Sequence, residues 1–139
     1  HYNMVGFDHV ALSISGKNHS LQYLNSQLVD NSDTIISKIE NNDFDCSIIV
    51  GTDPISHLPW NLSKKLTSKP IILIDNKKSA TYSVADIIIP SAITGIETGG
   101  LAYRLDHVPI ELHPILKPPS NILTDEEILT QLVKSLSGG

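Results

Sequence analysis

At 139 residues with a formal charge of -5, the chain has the size of a single domain and a mildly acidic surface, which gives electrostatic binding of nucleic acid or anionic membranes no support. No apolar run approaches the roughly 20 residues of a membrane helix, and His1 to Asn3 lack the basic and apolar regions of a signal peptide, so a cytoplasmic location with neither membrane nor nucleic-acid partners is expected. The single cysteine, Cys46, excludes an internal disulfide and cannot by itself hold zinc or an iron–sulfur cluster.

The N-terminal third carries weak flanking signals: Val10 to Ile14 reads as a strand and Ser20 to Leu28 as a helix. A start at His1 without an initiator methionine suggests a trimmed or partial chain. Asp33 to Asn41 is predicted helical, with Ile35, Ile36 and Ile39 on one face and Asn31, Ser32 or Asp33 as N-cap. Cys46 to Val50 suits a buried strand, which would make Cys46 an inert buried thiol, and Gly51-Thr-Asp-Pro54 then turns the chain. Pro59 permits a short helix around Trp60 to Leu66.

Pro70 to Asp75 is the clearest strand, and Ala85 to Pro90 is another, joined by a loop or brief helical turn over Asn76 to Ser83. Thr94 to Gly100 has too little side-chain mass for a core and reads as an ordered loop against a ligand or another backbone. Four prolines make Val108 to Ser120 an extended surface connector. Thr124-Asp-Glu-Glu127 is a capping box ahead of an amphipathic helix through Ile128, Leu129, Leu132, Val133 and Leu136, closed by Gly138. Isoleucine- and valine-rich runs alternating with helical segments define an α/β fold. The expected form is one Rossmann-like domain over residues 1–139, in three layers, with a mostly parallel sheet and helices on both faces.

In such a fold Gly51, Thr52, Asp53 and Pro54 stand at one strand's carboxyl end and Asp75 at another, where open α/β sheets bind ligands. An Asx turn at Asp53 and a cap or loop-ordering role for Asp75 account for the same residues without a ligand. Glu97 could be a general base and Arg104 an anion clamp, or both could join Asp106 in a loop salt bridge. His57, His107 and His113 lack the spacing of metal ligands and read as surface or packing residues. Ser56 and Ser91 lack a nucleophile elbow, so neither catalytic residues nor metal ligands are assigned.

Taken in order, Gly51-Thr-Asp-Pro54, the strand ending at Asp75, Thr81-Tyr-Ser-Val-Ala-Asp-Ile-Ile-Ile-Pro90 and Gly95-Ile-Glu-Thr-Gly-Gly-Leu-Ala-Tyr-Arg-Leu-Asp106 resemble the molybdopterin oxidoreductase superfamily. The version with Gly95-Ile-Glu97, Ala102-Tyr-Arg-Leu-Asp106 and Val108-Pro109 is most similar to the B subunit of formylmethanofuran dehydrogenase, over about residues 44 to 136. The resemblance implies a C-terminal region holding one pterin guanine dinucleotide of a molybdenum or tungsten cofactor. Gly51, Thr52, Asp53, Pro54 and Asp75 would contact the nucleotide, with Glu97, Gly99, Gly100 and Arg104 toward the pterin or substrate. The family's Gly-Thr pair is here Gly100-Leu101, so that threonine hydroxyl is missing. The family's cluster-binding cysteines and its metal ligand lie in regions this chain lacks. The resemblance therefore implies an oxidoreductase part that is inactive alone, retains no cofactor by itself, and partners with the rest of the B subunit and with other subunits. A stand-alone nucleotide or small-acid binding module and a subunit-assembly domain without redox activity are the alternative readings.

Overall fold

Three isoleucine-rich runs lie side by side in the computed structural model, which describes residues 3–17, 22–24, 27–29 and 33–137. In chain order the elements are α1 (Met4–Ser15), β1 (Gln22–Leu24), β2 (Gln27–Val29), α2 (Asp33–Glu40), β3 (Ser47–Val50), α3 (Pro54–His57), α4 (Trp60–Leu66), β4 (Ile71–Asp75), β5 (Ile87–Pro90), β6 (Gly100–Tyr103), β7 (Pro109–Leu112) and α5 (Asp125–Ser137). β3, β4 and β5 form a parallel sheet with β4 in the middle, pairing Ile49 with Leu73 and Leu73 with Ile88. The fold is α/β and Rossmann-like, as expected.

Alternation along each strand fixes which residues share a face. Ile49, Ile71 and Leu73 meet Ile39 of α2 and Leu62 and Leu66 of α4, which together form the core. Ile71, Leu73 and Ile74 are fully buried, consistent with the uninterrupted apolar run of a central strand. Edge strands are less enclosed: Ile48 and Ile87 are about half exposed. Cys46 is exposed, contrary to the buried thiol expected, because the sheet begins one residue later with the Ser47–Ile71 pair on an edge strand.

The N-terminal expectations fail where residues are described. Val10 to Ile14 lies in α1 and is not a strand. Gly16 terminates that helix in a left-handed conformation, donating its N–H to the Leu12 carbonyl at 2.9 Å, a helix-end signal that outweighs the β-branched residues before it. The start of α1 is tied to a distant strand: Asn3 Oδ1 accepts the Tyr103 N–H at 2.8 Å, and its Nδ2 donates to the Leu101 carbonyl at 3.3 Å. The helix expected from Ser20 to Leu28 is instead an antiparallel pairing of β1 with β2 over its described parts. Asn31 and Ser32, two of the caps considered for α2, lie outside the described residues, as does Gly138.

Between Val108 and Ser120 the chain is not merely a connector, since β7 pairs antiparallel with β6. The proline-rich composition conceals this strand; Pro109 is tolerated because it opens an edge strand. Asn76 to Ser83 ends in the anticipated helical turn, with Val84 and Ala85 donating to the Thr81 carbonyl. The capping box forms in both directions: Glu127 Oε2 accepts the Thr124 N–H at 2.8 Å and Thr124 Oγ1 accepts the Glu127 N–H at 3.1 Å. Thr124→Ala is therefore expected to cost about 1 kcal/mol of stability in urea denaturation, by exposing an unpaired donor at the α5 start.

Candidate functional site at the carboxyl ends of the parallel strands

Because β3, β4 and β5 are parallel, Gly51, Asp75 and Ser91 leave the sheet at the same edge. Gly51 turns the chain with φ 59 while its N–H still donates to the Ile74 carbonyl at 2.9 Å. This left-handed step releases Thr52 and Asp53 into the short loop that enters α3 at Pro54. Thr52 and Pro54 border an apolar groove beside α2 and β3.

The two strand-end aspartates have opposite surroundings. Asp53 is saturated by the chain's own donors. Its Oδ1 accepts the Thr81 hydroxyl at 2.6 Å and the Thr81 N–H at 2.9 Å, while Oδ2 accepts the Ser56 hydroxyl at 2.6 Å and the Ala80 N–H at 3.3 Å. Burial alone would raise its pKa, but these hydrogen bonds outweigh desolvation and hold the carboxyl well below the usual carboxylate range. Thr81 is fully buried and also accepts the Ile55 N–H at 3.3 Å, so Asp53 ties the loop after β3 to the loop after β4.

Asp75 is only 6 % exposed, and its Oδ1 accepts the Asn76 N–H at 2.7 Å. Its Oδ2 is buried with no hydrogen-bond partner among the described residues. A buried carboxylate oxygen in that condition carries a desolvation cost that a bound donor would relieve. Asp75 lines a cleft of about 510 Å³ with Asn76, Lys77, Lys78, Tyr82 and Glu97. Glu97 reaches it through the glycine-rich loop, where its Oε2 accepts the Ile93 N–H at 2.9 Å.

The remaining expected residues lie elsewhere. Gly99 and Gly100 border a separate cleft of about 500 Å³ beside Asn3 and Leu112. Arg104 stands on the β6–β7 turn in an exposed ion pair with Asp106 at 2.9 Å, and Glu97 does not join it. A further cleft, about 780 Å³, runs from Gly51 past α1 to Tyr103 and Asp125. The structure thus brings Asp75 and Glu97 together, sets Gly51 and the double glycine at neighbouring clefts, and leaves Arg104 outside all of them. Sequence reasoning misses Asn76, Lys77, Lys78 and Tyr82 as site residues; the basic pair directly after a strand-end acid is the available signal.

These features define an α/β protein whose strand-end loops gather at the carboxyl edge of a parallel sheet. Over 98 % of its length the chain is similar to the B subunit of tungsten-containing formylmethanofuran dehydrogenase 2, at 32 % identity to that of Methanococcus maripaludis and 33 % to that of Methanocaldococcus jannaschii. The chain spans 32 % of the length of these relatives. No family model matches. The fold is shared with a chain in the crystal structure of the formyltransferase/hydrolase complex from Methylorubrum extorquens with methylofuran, at a TM-score of 0.72 and 17 % identity, covering 98 % of this chain and 38 % of that one. The family resemblance carried by the sequence motifs is thereby borne out.

Proposed function

We propose that this chain is the C-terminal, pterin guanine dinucleotide-holding region of a formylmethanofuran dehydrogenase B subunit, with Asp75 at the guanosine end of the cofactor. The observation that carries this reading is the buried Oδ2 of Asp75, without a partner among the described residues, in a cleft that also presents Lys77 and Lys78. Guanine offers adjacent N–H donors to a carboxylate, ribose offers hydroxyls, and the ammonium groups of the lysines suit the diphosphate. The residues present therefore fit the nucleotide part of the group. Asp53 acts through position, holding the loop after β4 in place, and Gly51 gives the chain its turn away from the sheet.

The bound cofactor, with tungsten or molybdenum, supplies the two-electron exchange that interconverts carbon dioxide plus methanofuran with formylmethanofuran. In this reading the present residues bind and orient the nucleotide, while the metal ligand comes from the rest of the B subunit and the complete site from the other subunits. The isolated chain is accordingly inactive. Calorimetric titration of the 139-residue chain with GDP is expected to show saturable binding, weakened at least tenfold by Asp75→Ala or Asp75→Asn and unaffected by Arg104→Ala. Because, among the described residues, one Asp75 oxygen holds only the adjacent Asn76 N–H and the other is unpaired, removal of the carboxylate should leave the fold intact. Absence of binding, or binding indifferent to Asp75, would sink the assignment.

A further inference from the structure

We propose that His9 and His107 form a two-imidazole site for a divalent transition-metal ion that clamps α1 to the turn between β6 and β7. His9 Nε2 and His107 Nδ1 face one another at 3.2 Å across 98 residues of sequence. Two nitrogen ligands held about 2.0–2.1 Å from one tetrahedral ion stand about 3.3 Å apart, so the rings need only tilt for both lone pairs to converge. In the metal-free chain the same approach is an ordinary hydrogen bond, one ring donating to the other.

Each imidazole is held in place by contacts of its own. The His9 ring stacks on Tyr103 with centroids 4.6 Å apart, and Tyr103 is in turn fixed to Asn3 at the α1 start. His107 takes the left-handed conformation at φ 65, and its N–H donates to the Arg104 carbonyl at 3.0 Å. The rings meet edge to face, 84° apart, and the contact between them is exposed. Such support lowers the ordering cost of ligation. Neutral imidazole favours zinc, nickel and copper over magnesium or calcium, and two protein ligands leave the remaining positions to water. An ion bound only when α1 is docked stabilises the docked state by mass action.

Among the described residues no cluster of three His, Cys, Asp or Glu side chains is placed to hold a metal, so this site rests on two ligands and is distinct from the Asp75 cleft. The test is titration of the chain with Zn²⁺, Ni²⁺, Cu²⁺ and Mg²⁺, read by calorimetry, by thermal unfolding and by the imidazole resonances of each histidine. Saturable binding of the three transition ions, tightest for copper, is expected, with a rise in Tm, shifts confined to His9 and His107, and no response to Mg²⁺. His9→Gln and His107→Ala should each lower affinity at least tenfold, while His113→Ala leaves it unchanged. Failure of all three ions to bind, shifts at other histidines, or equal binding by wild type and both site variants would overturn the proposal.

Discussion

Replacing Asp53 with alanine is expected to lower unfolding free energy by about 3 kcal/mol, because the buried Thr81 loses the acceptor for both its hydroxyl and its N–H. The loss should spread from the β3 loop to the β4 loop, since Asp53 joins them, and amide exchange at Ala80 and Thr81 should accelerate. Asp53→Asn keeps an oxygen toward Thr81 but loses the charge and one acceptor, so it should cost about half as much. The sign of the pH effect follows from the depressed native pKa. The unfolded chain takes up this proton more readily, so the contribution is complete above the ordinary aspartate value of about 3.9 and is lost as pH falls toward the lower native value. The stability gap between wild type and Asp53→Ala, measured in urea, should therefore narrow from pH 7 to pH 3. A gap that stays constant or widens in acid would show that the carboxylate is not what holds the two loops.

The same carboxylate illustrates what can and cannot be read from the chain alone. Asp53 and Asp75 both follow apolar strands, and local pattern makes them equivalent ligand candidates. Their difference is tertiary: the turn carrying Thr81, 28 residues after Asp53, delivers its donors to Asp53, and no described residue delivers one to Asp75 Oδ2. β4 is legible because a strand covered on both faces must be continuously apolar, and α4 is legible to the residue because Pro59 can precede a helix but not sit inside one. α1 is not, since its register is set by Asn3 pairing with the β6 backbone. The β6–β7 pair hides behind prolines that an edge strand tolerates. Arg104 is singled out by its motif, and its position on that hairpin turn, paired with Asp106, becomes visible only once the hairpin itself is known.

The two glycines at the strand-end loops should respond to substitution in opposite ways, and that contrast tests the site's backbone directly. At Gly99 the demand is space: a Cβ there would stand 2.7 Å from the Leu112 carbonyl oxygen and 3.2 Å from Pro114 Cδ. The obstruction is backbone and a proline ring, neither of which can rotate away, so Gly99→Ala must push β7 from its place beside β6. A loss of about 2–3 kcal/mol is expected, at the upper part of the range for overpacking, with a matching fall in Tm. At Gly51 the demand is conformational: φ is 59 and no described residue lies within 4 Å of an added Cβ. Gly51→Ala should cost about 1–2 kcal/mol through the left-handed backbone, and Gly51→Asn distinctly less, because asparagine visits that region readily. Asparagine at position 99 should be as damaging as alanine or worse. If both sites rank alanine and asparagine alike, the close approach of the glycine-rich loop to β7 is wrong, and with it the wall of the cleft that Gly99 and Gly100 border.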